Sequence, residues 1–176
     1  PNSTASGSGK VNGGNGTIQG WEFSGTLPLN IVSDVLDGFG LIASYTIIDQ
    51  DIKDQNGNNY RLPGLSKKIQ SYTAFYENSG FQARVSLRKR GDFSGDVYGI
   101  GFDTQQVDIL GEDIVDAQIG FDFGEAGIKS LDGLSIFLQG QNLTEEPFVS
   151  TQGSAFKIRD YQDYGSTYLL GFSYKL

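Results

Sequence analysis

The side chains in this sequence best equipped for chemistry are a short row of arginines and a scatter of carboxylates. Gln82, Arg84, Arg88 and Arg90 alternate with Phe81, Ala83, Val85 and Leu87. Period-two spacing puts the two sets on opposite faces of one strand. Such a guanidinium row can line a substrate path, or it can be filler paired with carboxylates. Glu22, Glu77, Asp116 and Asp122 are the available partners, and filler is the plainer reading. Glu145-Glu146 and Asp160 with Asp163 are carboxylate pairs of the type used in hydrolysis. No nucleophile-base set accompanies them. The sequence has no histidine and no cysteine. That removes the commonest general base, thiolate metal ligands and any disulfide frame. The run Asp49 to Asn58 is rich in oxygen ligands, but it lacks the spacing and closing glutamate of a calcium loop. It reads as a solvated loop. These residues specify no enzyme, no cofactor and no metal.

The elements that hold these residues read as β throughout. The chain has 176 residues, with 25 Gly, 12 Phe, 9 Tyr and 4 Pro. Net charge is -8, which makes a nucleic-acid partner unexpected. No apolar run is long enough for a transmembrane helix. The clearest strand closes the chain. There Tyr168, Leu170, Phe172, Tyr174 and Leu176 oppose Thr167, Leu169, Gly171, Ser173 and Lys175. One face is greasy and aromatic, the other small and polar. Barrels that touch lipid have such strands.

Seven segments follow this rhythm, at about 17–29, 39–52, 67–77, 80–91, 114–123, 133–143 and 167–176. In the fifth, Ile114, Ala117, Ile119, Phe121 and Phe123 are assigned to the apolar side, against Asp116, Gln118, Gly120 and Asp122. Trp21, Tyr45, Tyr72, Tyr76, Phe121, Phe123, Tyr168, Phe172 and Tyr174 suit aromatic girdles at a bilayer boundary. A soluble β core is the bland alternative. The connections 30–38, 77–80 and 124–132 are fairly short. Those at 53–66, 92–113 and 144–164 are long and polar, and fall at the other end with residues 1–16. Outer-membrane barrels show this asymmetry. The fold expected is all-β, an antiparallel meander of about seven strands forming part of a large transmembrane β-barrel. Residues 1–16 are expected to be an external loop or flexible tail. Seven is an odd number of strands, and the sequence begins at Pro1 without Met, so at least one earlier strand is expected.

Several motifs resemble one family. Gly16-Thr17-Ile18-Gln19-Gly20-Trp21-Glu22, Leu62-Pro63-Gly64-Leu65-Ser66-Lys67 and Tyr76-Glu77-Asn78-Ser79-Gly80-Phe81-Gln82-Ala83-Arg84 are similar to stretches of TonB-dependent outer-membrane receptors. So are Gly133-Leu134 through Asn142-Leu143-Thr144 and the closing strand from Tyr164. The likeness runs in order over most of the chain. This chain ends on Leu176 where the family usually ends on Phe. The resemblance implies a 22-stranded barrel in the bacterial outer membrane, of which this would be the last third. It also implies a plug domain and energy from TonB acting through that plug, neither of which these residues contain. The implied function is active import of a scarce nutrient such as a saccharide or siderophore. A non-transport barrel (adhesin or porin-like) and a soluble β-binding module are the alternatives.

On that reading, Glu22, Gln82, Arg84, Arg88, Arg90, Asp116, Gln118, Gln139 and Gln141 face the lumen. Tyr60, Phe93, Tyr98, Phe102, Phe148, Phe156, Arg159 and Tyr161 lie in the long loops. They are the aromatic and polar groups with which a small-molecule or oligosaccharide ligand would be captured. The other partners expected are outer-membrane lipid and the rest of the barrel with its plug.

Overall fold

The computed structural model describes residues 14–98, 104–154 and 156–175. Eleven strands follow in chain order: β1 Gly16–Pro28, β2 Phe39–Ile52, β3 Lys68–Asn78, β4 Phe81–Arg90, β5 Phe93–Tyr98, β6 Thr104–Ile109, β7 Glu112–Asp122, β8 Leu134–Gln141, β9 Phe148–Thr151, β10 Ile158–Gln162 and β11 Thr167–Tyr174. Seven form one antiparallel wall in the order β1-β2-β3-β4-β7-β8-β11. The wall strands match the seven expected from the sequence to within a few residues. No helix among the described residues is long and apolar enough to cross a membrane, which leaves a β-barrel entirely open. The tail 1–13, Phe102 and Leu176 lie outside the described residues.

The register explains why the wall has two unlike faces. Trp21 pairs with Ile47, Leu41 with Ala74, Tyr72 with Leu87, Val85 with Ala117, Ile119 with Leu138, and Leu138 with Leu170. Apolar residues meet apolar neighbours across every strand pair, so one apolar face crosses all seven strands; at its edge Tyr45 meets Gln70 and Ile47 meets Lys68. A shift of one residue in any strand would turn its greasy set to the other side. The apolar rows stop toward the long connections. Gln19 pairs with Asp49 there, and Gln70, Lys89 and Asp113 stand in one row. Lys89 forms an ion pair with Asp113 in that row.

The opposite face is mostly polar, with Ile18, Ile42, Ile48, Ile69 and Leu169 interspersed. It carries Glu22, Ser44, Ser71, Thr73, Gln82, Arg84, Ser86, Arg88, Asp116, Gln118, Gln139 and Ser173. Its two phenylalanines have a local reason to be there. The Phe75 ring lies over Gly40 and the Phe137 ring over Gly171, each filling the space left by a missing side chain. The sequence assignment of Ile114 to the apolar side is wrong. Ile114 pairs with Arg88 on the polar face, and Val115 faces the apolar side against Leu87. Alternation continues without a break through β7, so no bulge shifts Ile114 outward.

The long polar connections are not plain loops. They carry a second antiparallel sheet in the order β10-β9-β6-β5. β5 and β6 form a hairpin, and Asp108 and Ile109 of β6 pair with Thr151 and Ser150 of β9. Val107 is fully buried within it, with Ser94, Ser150 and Thr151. Opposite, the short connections begin three strands alike. Gly38, Gly80 and Gly133 all have positive φ, near +80°. Their carbonyls accept from the amides of Glu77, Asp122 and Lys175 on the following strand, at 2.9, 2.8 and 2.9 Å.

Candidate ligand-capture mouth

The wall and the loop sheet meet at the mouth, and three sequence-local devices fix how. The first is the Leu62-to-Lys67 motif. Gly64 takes positive φ, its amide donates to the Ser94 carbonyl at 2.7 Å, and its carbonyl accepts from Arg90 Nη2 at 2.8 Å. Buried Ser66 donates from Oγ to the carbonyls of Gly91 and Lys68 at 2.7 and 3.1 Å. The guanidinium of Arg90 lies 3.7 Å from the centre of the Phe93 ring, a cation–π contact. Arg90 thus bolts β4 to the 53–66 loop and to β5.

The second device is Arg61. It pairs with Asp108, and its carbonyl accepts from Gln106 Nε2 at 2.9 Å. The 53–66 loop therefore lies across one face of the loop sheet. Tyr60 stands beside Asp96 there. Partial burial, then the Asp96 charge, hold the Tyr60 phenol above its usual 10.0. Nearby, the Asp54 carboxylate takes amides from Asn56 and Asn58, each at 2.8 Å, and the Asn58 side-chain amide at 3.1 Å. Hydrogen bonds from the Asn58 side chain, then its amide, hold Asp54 below the usual 3.8. These donors account for the acidic run as a tied turn. Among the described residues no cluster of acidic groups suited to a metal ion occurs.

The third device is Asn142-Leu143-Thr144. Asn142 has positive φ and donates from its amide to Asp116 Oδ1 at 2.9 Å. Its side-chain nitrogen donates to the carbonyls of Glu146 and Gly165 at 3.1 and 3.2 Å, and its oxygen accepts from the Glu146 amide at 3.0 Å. Thr144 Oγ1 donates to the Asp113 carbonyl at 2.9 Å, and the Leu143 amide donates to the Val115 carbonyl at 2.7 Å. The motif clasps both ends of the 143–165 strap to the top of β7. In the sequence it resembled a family signature. Its role appears only when Asp116 and Gly165 are brought beside it.

The third device borders a recess of ≈ 490 Å³ lined by Arg88, Glu112, Asp116, Gln141, Phe148 and Tyr164, with Ile114, Asn142 and Glu146. It brings together Arg88, Asp116, Gln141 and Phe148 of the sequence candidates. Glu112 and Tyr164 are added by the fold. A smaller recess of ≈ 190 Å³ deeper on the same face holds Gln82, Arg84 and Gln118, and Arg84 stands 3.6 Å from Glu77. Gln139 joins Arg84 and Gln118 in an adjoining recess. Glu22 is on the polar face of β1, away from all of these. The loop candidates split. Tyr98, Phe156 and Tyr161 are exposed at the loop sheet, and Arg159 reaches the Tyr98 carbonyl at 3.5 Å. Tyr60 lines a separate recess of ≈ 500 Å³ with Ile52, Lys53 and Leu62. Phe93 is half-buried, with the Arg90 guanidinium over its ring.

Outer-membrane barrels have antiparallel walls with one apolar and one polar face, short connections at one end and long ones at the other, and this wall shares that pattern. The family model for TonB dependent receptor-like β-barrels matches residues 1–143, and the chain belongs to that family. The unliganded crystal structure of the ferric citrate transporter FecA superposes with a TM-score of 0.69 at 17% identity. The superposition covers 91% of this chain and 24% of FecA, so the chain spans about a quarter of that transporter. No curated protein matches the sequence.

Proposed function

We propose that this chain is wall and mouth of an outer-membrane transporter that imports a scarce small molecule or oligosaccharide with energy delivered by TonB through a plug. The observation that carries this reading is the two-faced wall joined to an ordered loop sheet. The apolar face suits lipid. The polar face, with Arg84, Arg88, Asp116, Gln118, Gln139 and Gln141, suits a hydrated lumen. Family membership supports transport.

Capture would begin at Tyr98, Phe156, Arg159 and Tyr161 and continue to Phe148 and Tyr164 at the recess. Binding groups on loops held by a rigid scaffold are the common arrangement. The test replaces the hairpin tip 153–156 by Gly-Ser in the full-length receptor. Uptake of a panel of oligosaccharides and ferric chelates is then measured with and without TonB. Assembly should be unchanged and TonB-dependent uptake reduced. Undiminished uptake would remove the tip from capture, and uptake indifferent to TonB would refute the transporter reading.

A further inference from the structure

The connection between β1 and β2 exposes more apolar surface than the other two short turns. Ile31, Val32 and Val35 are 70%, 69% and 88% exposed. Asn78-Ser79-Gly80 is polar, and the 124–132 turn, with Glu125 and Lys129, exposes Ile128 and Leu131 by only 39% each. The β1–β2 turn carries Asp34 and Asp37 beside its apolar residues. It forms two 3-10 turns, Leu29–Ile31 and Asp34–Leu36. The amides of Val32 and Ser33 donate to the Leu29 carbonyl, Leu36 to Ser33, and Asp37 to Asp34, at 2.9–3.3 Å. Ser33 Oγ accepts from the Val35 amide at 3.4 Å. Five of the turn's amides thus find partners within the turn, which lowers the cost of leaving water. The turn also continues the apolar face. It leaves β1 just past Leu27 and enters β2 at Phe39, whose ring packs 4.5 Å from Tyr76, with Phe81 next in line at 6.1 Å from Tyr76. That aromatic row is the type found at the bilayer boundary.

We infer that the 29–36 turn lies in the inner boundary of the bilayer, with Ile31, Val32 and Val35 inserted among the lipid chains as an anchor for β1 and β2. The inference rests on the wall facing lipid, as proposed above. Lipid is the occupant assigned because the turn is continuous with that face. Asp34 and Asp37 at the same turn suit the headgroup level.

The test uses the full-length receptor in vesicles of phosphatidylethanolamine and phosphatidylglycerol. A nitroxide is attached to Val35→Cys, with Val85→Cys on the apolar face and Ser79→Cys on the polar turn as references. Collision rates with oxygen and with a water-soluble nickel chelate are compared. Val35→Cys should behave like Val85→Cys, with oxygen favoured, while Ser79→Cys favours nickel. If Val85→Cys favours oxygen but Val35→Cys favours nickel, the anchor is refuted and the wall reading stands. If Val35→Cys is shielded from both, protein covers the turn and the anchor is again refuted. If Val85→Cys itself favours nickel, the wall reading fails.

Discussion

Gly80 has no room for a side chain. Its φ is +82°, and a Cβ there would press on the Asp122 carbonyl and the Ala126 amide. Gly57 has nearly the same φ but nothing within 4 Å. Comparing alanine at the two positions separates backbone strain from collision. Gly57→Ala should cost about 1–2 kcal/mol, the ordinary penalty of the left-handed region. Gly80→Ala should cost clearly more and lower the midpoint of a urea folding titration of the full-length protein. Equal midpoints would mean that β4 and β7 do not meet at Gly80 as described. Asp54 makes a pH prediction at the same scale. Its value is depressed in the folded chain, so its contribution is complete above 3.8 and fades as pH falls through the folded value. Protection of the Asn56 and Asn58 amides, measured as exchange relative to the intrinsic rate at each pH, should fall through that acid range and be low at every pH in Asp54→Ala. Protection that is unchanged across that range in the parent would remove Asp54 as the tie.

At the scale of elements, the strap 143–165 hangs on Asn142. Asn142→Gly keeps the positive φ without strain and deletes every bond made by the Asn142 side chain. It should loosen the strap by about 1–3 kcal/mol, through polar groups left without partners. Limited proteolysis should then cut within 145–165 while the wall strands stay resistant. An unchanged cleavage pattern would show that the strap is held elsewhere. The elements also show what pattern alone could reveal. The wall strands were legible because one face is apolar over most of its length, and β4 alternates perfectly from Phe81 to Arg88. The loop sheet was hidden for a physical reason. β5 alternates Phe93, Gly95 and Val97 with Ser94, Asp96 and Tyr98, which gives little contrast. β9 has only four residues, and β10 carries a register shift between Ile158 and Asp160. Its key pairing, Asp108 with Thr151, joins residues far apart in sequence. Ile114 misled because an apolar residue at the rim of the polar face breaks the binary pattern. The recess was legible in its wall half, through Arg88, Asp116 and Gln141. Glu112 and Tyr164 needed the fold to reach it.

For the molecule as a whole, the seven-stranded wall is an open sheet. Among the described residues β1 pairs only with β2, and β11 only with β8. Unpaired strand edges are untenable in lipid, so a membrane wall requires further strands on both sides. The central claim is that one face of this wall meets hydrocarbon and the other meets water. An arginine scan along β4 reads that claim position by position. In the full-length protein folded into vesicles, arginine at Ala83 or Val85 should cost roughly 2–4 kcal/mol where the site is near mid-bilayer, and less toward the rims. Arginine at Gln82 or Ser86, on the polar face, should cost much less, and the losses should alternate with period two. Losses that are equal on both faces, or larger at Gln82 and Ser86, would contradict the account.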